Sequence, residues 1–157
     1  MLSLPLTPFH YPVANLIHRL DERLSLPGLL VGSMLPDIEV PIIFLFSGSS
    51  VPYNRLVLHS LLGAVSLGAF LSLILTFVLY PAACSIFSID KLRVKEKCAL
   101  SVGLVLSCSI GGLSHVLFDI INHAFNPILW PFLTSMTPNP ISLALGGTEN
   151  ASLIIHV

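Results

Sequence analysis

The sequence predicts an all-α membrane protein, a polytopic bundle of helices. Of its 157 residues, 54% are hydrophobic and only 10% are charged, whereas soluble domains contain about 25% charged residues. The mean hydropathy is +0.90, and a soluble protein of this size could not bury so much apolar surface. The formal net charge of −1 offers no basic surface for nucleic acid. We therefore expect a single integral-membrane domain over residues 1–157, surrounded by membrane lipids.

The first expected element is a short amphipathic helix over residues 12–24. Apolar side chains recur there at helical spacing, and the charged side chains lie off that stripe. The segment is too polar to cross a bilayer. It therefore predicts an N-terminal helix that lies at the membrane interface.

Residues 24–46 are apolar, but two prolines flank two carboxylates at their centre: Pro36, Asp37, Glu39 and Pro41. A proline inside a helix removes a backbone hydrogen bond and clashes with the preceding turn. Irregular backbone at membrane depth is tolerated where it is buried in protein or lines a cavity. We expect a broken segment here, either two half-helices that meet at a polar break or a re-entrant hairpin.

Two segments are expected to span the membrane as regular helices, residues 56–80 and residues 98–123. The first is about 37 Å long at 1.5 Å per residue, which exceeds a hydrocarbon core of ~30 Å, and Pro81 is expected to end it. The basic connection over residues 81–97 favours the cytoplasmic face for that end. Residues 141–157 hold apolar runs too short to span, and the last run suggests a further C-terminal helix.

The second span ends in HVLFDIINH, where His115, Asp119 and His123 are each four residues apart. A step of four residues turns about 40° beyond a full helical turn, so the three side chains fan over roughly 80° of one face. A charge in lipid costs ~3 kcal/mol by insertion scales, so this group should face protein and find a partner. A divalent metal such as zinc would satisfy imidazole and carboxylate together. A hydrogen-bonded core or a helix end that reaches water would account for them as well.

Other polar residues favour the metal interpretation. Because the two spans are antiparallel, His59 in the first turn of one should lie at the same membrane face as the HVLFDIINH segment of the other. His10, Asp37 and Glu39 each have an ordinary explanation, as a helix cap or as a residue exposed to water. Their joint occurrence at one predicted face favours a metal site over coincidence.

Five short motifs also follow one another in a fixed order up to about residue 133: T-P-x-H (Thr7 to His10), G-S-M-L-P-D-I-E (Gly32 to Glu39), R-x3-H-S (Arg55 to Ser60), S-H-x3-D (Ser114 to Asp119) and L-W-P (Leu129 to Pro131). This order resembles the membrane-bound metal-dependent hydrolases, a predicted group of small multi-pass proteins described as LexA-binding inner-membrane hydrolases, and related uncharacterised archaeal and bacterial families. Their pattern is similar to the all-helical metal core of zinc-dependent phospholipases C.

The resemblance implies five metal ligands, with His123 as a sixth: His10, Asp37, His59, His115 and Asp119. Two positions depart from the family pattern. Asn54 stands where many relatives carry a second histidine, and Glu39 stands where many carry aspartate. Both departures bear on whether the site holds one ion or two.

The sequence thus predicts a metal-dependent hydrolase with one or two divalent ions, zinc first, and Asp37 or Glu39 as the general base. A site at the membrane surface suits a phosphoester or ester of a lipid-like substrate. A non-enzymatic scaffold or binding protein stabilised by metal remains open, and coordination closed by protein ligands would favour it. A transporter is disfavoured, because residues 61–80 and 98–113 offer only Ser, Thr, Gly and Cys as polar groups at depth.

Overall fold

The computed structural model of the chain describes residues 10–47, 55–86, 91–122 and 126–132, together with Ala144. Within these residues the regular structure is helical throughout and contains no strand, which confirms the predicted all-α class. We number the helices in chain order: α1 His10–Leu20, α2 Leu26–Ser47, α3 over residues 61–86, α4 Lys91–Lys97 and α5 Val102–Asn122.

Three of these helices are long and apolar enough to cross a membrane: Leu26–Phe46 of α2, Leu61–Cys84 of α3 and Val102–Ile120 of α5. Their outer faces carry large apolar side chains that protein does not cover, for example Phe46 at 89% exposure and Phe70 at 59%. Such faces would be a liability in water but are suited to lipid acyl chains. The chain therefore has three candidate spans, one more than the two regular spans that the sequence predicts.

The third span is α2, and the predicted break in it is wrong. The helix runs without interruption through Pro36 and Pro41. Prolines are tolerated in membrane helices where a neighbouring helix compensates for the disturbed backbone. Here the carbonyl of Ser33, in the turn before Pro36, accepts a hydrogen bond from the ring of His115 on α5 at 2.7 Å. The two carboxylates therefore project from a continuous helix.

Helix α3 begins later and ends later than predicted. It starts at Leu61 because Ser60 caps it, with the Ser60 hydroxyl accepting from the backbone N–H of Gly63 at 2.9 Å. It continues past Pro81 to Ile86 and includes π-helical turns at Ala64–Gly68 and Leu75–Leu79. The second π-helical turn immediately precedes the α-helical segment that contains Pro81. His59 therefore lies in the turn before α3 and not in its first helical turn.

Helix α1 is amphipathic and too short to span, as predicted, but it lies alongside the bundle. At its start, the ring of His10 is 4.4 Å from the ring of His115. Just beyond its end, the carbonyl of Arg23 packs against Gly103. His115 and Gly103 are about 18 Å apart along α5 at 1.5 Å per residue. An interfacial helix would lie across the end of the bundle, whereas α1 runs antiparallel to α5.

Helices α2 and α5 pack so closely that glycine is required on both. A methyl group at Gly32 would collide with the carbonyl oxygen of Cys108, and one at Gly111 would collide with the carbonyl oxygen of Leu29. Small residues of this kind let two membrane helices bring their backbones together. The contact fixes the register that sets His115, one turn beyond Gly111, against the polar turn of α2.

Candidate metal centre

Five of the six predicted ligands converge near one end of the bundle: His10 on α1, Asp37 on α2, His59 before α3, and His115 and Asp119 on α5. They form two overlapping groups whose ligand atoms lie within 4.8 Å of one another, and His115 belongs to both. His123, the sixth predicted ligand, lies outside the described residues. That the five bind a metal remains a prediction.

His115 is oriented by α2. Its Nδ1 lies 2.7 Å from the carbonyl oxygen of Ser33, which can only accept, so Nδ1 carries a proton. The other ring nitrogen, Nε2, points to two carboxylates, 3.4 Å from Asp119 Oδ2 and 3.6 Å from Asp37 Oδ1. The side chain of His115 is completely buried. A backbone partner on the far ring nitrogen is a common way of fixing a metal-binding histidine.

His59 is oriented by Glu39 in the same manner. Its Nδ1 lies 2.9 Å from Glu39 Oε2, and its Nε2 lies 3.6 Å from Asp119 Oδ2. Glu39 also accepts backbone N–H groups from Leu56 at 2.9 Å and from Leu58 at 3.2 Å. Three donors therefore hold this carboxylate against the turn that carries His59. Burial lowers the pKa of His59, which favours the neutral ring.

His59 Nε2, His115 Nε2 and Asp119 Oδ2 surround a gap. Separations of 3.4 to 3.6 Å are too long for good hydrogen bonds. Among the described residues, neither His59 Nε2 nor His115 Nε2 has a hydrogen-bond partner. Ligands at about 2.0–2.1 Å from a tetrahedral zinc ion stand roughly 3.3–3.4 Å apart. The two distances from Asp119 Oδ2 are therefore close to those within a zinc ligand set.

His10 forms the other candidate ligand group together with Asp37 and His115. Its pKa is lowered to about 4, first by burial and then by the nearby His115. The ring is therefore neutral at physiological pH, which is the form that binds metals.

Arg55 is a residue that ligand-based reasoning missed. Its Nε lies 3.5 Å from Asp119 Oδ2, and only 12% of its side chain is exposed. The only signal in the sequence is its position four residues before His59, within the R-x3-H motif. Burial lowers the pKa of Arg55, and the carboxylates of Asp119, Asp37 and Glu39 oppose that effect, so the side chain stays cationic.

With all three carboxylates ionised and the imidazoles neutral, the charges of the described cluster do not balance without a cation. Three carboxylates, from Asp37, Glu39 and Asp119, face the single guanidinium of Arg55. When the carboxylates are ionised, two negative charges remain in a largely buried place, which is costly unless they are compensated. A divalent cation supplies the missing charge. Both the donor set and the charge therefore fit a metal ion of the zinc type.

Glu39→Gln is expected to lower zinc affinity by about 10–100-fold, because the amide cannot accept from all three donors and His59 loses its orientation. The measurement is a competition titration of the purified protein against a chromophoric zinc chelator. Glu96→Gln, a change at an exposed position of α4, is the matched control and should bind as the wild type does. Equal affinities for Glu39→Gln and the control would show that Glu39 does not orient a ligand.

Residues 9–156 match the model of a protein family described as YdjM inner membrane protein. Searches of curated proteins and of solved structures found no significant match. The family match covers nearly the whole chain, and its description agrees with the three apolar helices. The chain is thus a multi-pass integral protein of the inner membrane and belongs to the YdjM inner membrane protein family.

Proposed function

We propose that the chain is a membrane-bound, metal-dependent hydrolase whose metal is held by His59, His115 and Asp119. One observation carries the proposal: two oriented imidazoles and a carboxylate, all buried, present their ligand atoms to one gap, with the carboxylate oxygen 3.6 and 3.4 Å from the two ring nitrogens. Three protein ligands with one position left for water is the usual arrangement of catalytic zinc. Bound there, zinc would lower the pKa of its water to ~7 and polarise the bond to be cleaved.

The open edge of the cluster indicates where a substrate would enter. The side chains of His59 and His115 are fully buried and Asp119 is 2% exposed, whereas Asp37 is 16% exposed and Arg55 is 12% exposed. Asp37 and Arg55, together with Glu39 at 11% exposure, are thus the members of the cluster that reach the outside. A carboxylate at that edge can take a proton from water, and a guanidinium can bind an anionic oxygen of the substrate.

These positions favour Asp37 over Glu39 as the general base. Glu39 already accepts three hydrogen bonds and holds the turn before α3. Among the described residues, Asp37 Oδ2 is buried without a hydrogen-bond partner, so this oxygen could accept from a water held inside the cluster. Arg55 favours a phosphoester over a neutral ester, and the position near one end of the spans suits a lipid-like substrate.

A second function, a scaffold pinned by metal, is favoured by one observation. His10 and Asp37 lie close enough to His115 to act as ligands themselves. If both bound the same ion as His59 and Asp119, no position would remain for water, and the ion would only hold α1, α2 and α5 together.

Asp37→Asn separates the two functions. We expect this variant to keep its zinc but to lose hydrolysis by about 10²–10⁴-fold, since the base is removed and the three ligands remain. Turnover would be followed on bis(p-nitrophenyl) phosphate and on a fluorogenic phospholipid in nanodiscs, with metal content measured on the same sample. Asp21→Asn, at an exposed turn, is the control and should keep both properties.

Two results would contradict the proposal. Loss of zinc from Asp37→Asn would place Asp37 among the ligands and remove it as the base. A wild-type protein that holds stoichiometric zinc yet hydrolyses neither probe would favour the scaffold.

A further inference from the structure

A groove of about 630 Å³ lies at the opposite end of α5 from the candidate metal centre. It is formed by the last turns of α3, the short helix α4 and the residues that connect α4 to α5. Along α5, the start of the helix at Val102 and Asp119 are separated by about 26 Å at 1.5 Å per residue. The groove and the metal centre are therefore separate sites.

The lining of the groove is apolar except at one point: Phe77, Val78, Pro81, Ala82, Lys95, Cys98, Ala99 and Leu100. The thiol of Cys98 is buried, and burial raises its pKa to about 11, so it is uncharged at physiological pH. Among the described lining residues, Lys95 alone brings a charge. An apolar groove of this size, within the roughly 300–1,000 Å³ of small-molecule sites, with one cation, suits an amphipathic anion.

The location of the groove places it at a membrane surface. Helix α4 joins the candidate span Leu61–Cys84 to the candidate span Val102–Ile120. Around it, apolar side chains project without protein cover, among them Leu92 at 80% exposure, Leu100 at 67% and Val102 at 78%. Side chains of this kind next to the end of a span are suited to the boundary between acyl chains and head groups.

The charge of α4 identifies the kind of lipid. The helix has the sequence KLRVKEK, with four basic residues against one acidic residue. Basic clusters directly beside a membrane span attract anionic head groups and do not attract zwitterionic ones. Lys95 belongs both to this basic helix and to the lining of the groove.

We propose that this groove binds one anionic phospholipid, with an acyl chain along Phe77, Val78 and Leu100 and its phosphate at Lys95. The site is distinct from the metal centre and does not depend on hydrolysis. Bound there, the lipid would bridge α3 and the start of α5 at the membrane surface.

Native mass spectrometry of the whole purified chain tests this lipid binding. The protein in detergent is mixed with equimolar phosphatidylglycerol and phosphatidylcholine that have the same acyl chains, and the lipids that it retains after release from the detergent are counted. The wild type should retain one phosphatidylglycerol in clear preference to phosphatidylcholine. Lys95→Gln should lower that preference about fivefold, the effect expected for one basic residue at a membrane surface. Lys95→Arg should restore it.

Two further variants distinguish the groove from general surface charge. Ala99→Trp, at an exposed position in the lining, should fill the groove and reduce retention of phosphatidylglycerol. Arg19→Gln, at an exposed position near the end of α1, removes an equal charge outside the groove and should have no effect.

Three outcomes would overturn the proposal. Equal retention of the two lipids would show that the groove does not select charge. If Ala99→Trp retained phosphatidylglycerol as the wild type does while Lys95→Gln lost its preference for it, the lipid would be attracted by surface charge and not bound in the groove. Competition by glycerol phosphate as strong as that by the lipid would make it a phosphate site without an acyl-chain groove.

Discussion

His115→Ala is expected to abolish stoichiometric zinc binding. This residue belongs to both candidate ligand groups, so its loss affects every arrangement in which the cluster holds an ion. Loss of an orienting partner lowers metal affinity by about 10–100-fold. Loss of a direct ligand should lower it further. The measurement is the metal content of purified, zinc-replete protein by elemental analysis.

His18→Ala provides the matched control. His18 is a half-buried histidine on α1 whose Nδ1 pairs with the carbonyl of Leu24 at 2.8 Å, so this change also removes an imidazole and a hydrogen bond. It should leave the zinc content unchanged. If His115→Ala retains as much zinc as His18→Ala, the cluster is not the metal site.

Gly111→Ala is expected to destabilise the packing of α2 against α5 strongly. Its methyl group would meet the backbone of α2 at the carbonyl of Leu29 and at the amide of Ser33, and backbone atoms cannot move aside as a flexible side chain can. Overpacking of this kind costs ~1–3 kcal/mol, which for a chain of this length lowers Tm by roughly 2–12 °C. Thermal unfolding in one detergent, followed by circular dichroism, measures it.

The neighbouring glycine gives the comparison. A methyl group at Gly112 would have its nearest contact with the carbonyl oxygen of Ala64 at 3.3 Å, which a shift of a few tenths of an ångström relieves. Gly112→Ala should therefore cost under about 1 kcal/mol. If Gly111→Ala and Gly112→Ala lowered Tm equally, the close contact between α2 and α5 at Gly111 would not be a main source of stability.

The convergence of the candidate ligands could be predicted from the sequence because it depends on topology. Two antiparallel spans with a histidine before one and an H-x3-D pair near the end of the other must bring these groups to one end, and the structure places them there. The same reasoning fails where neighbouring helices decide. Pro36 predicts a break, but α2 continues through it, and α5 bonds to the preceding turn through His115 and the carbonyl of Ser33.

The role of individual side chains was harder to foresee. Glu39 and Asp37 look equivalent in the sequence, two carboxylates beside prolines, and only the turn before α3 distinguishes them by placing three donors on Glu39. Arg55 lies in that same turn and outside a helix, so helical periodicity gives no indication that it belongs to the cluster. Hydrogen bonds between segments far apart in the chain cannot be read from spacing alone.

X-ray absorption at the zinc K edge, recorded on purified zinc-replete protein, tests the central claim most directly. The height of the edge reports how much zinc is bound, and the fine structure reports its ligands. We expect at least one zinc per chain, with nitrogen and oxygen neighbours at about 2.0–2.1 Å and the outer-shell signal of imidazole. Zinc absent above background, or sulfur neighbours at about 2.3 Å from the cysteines, would contradict a centre built from His59, His115 and Asp119.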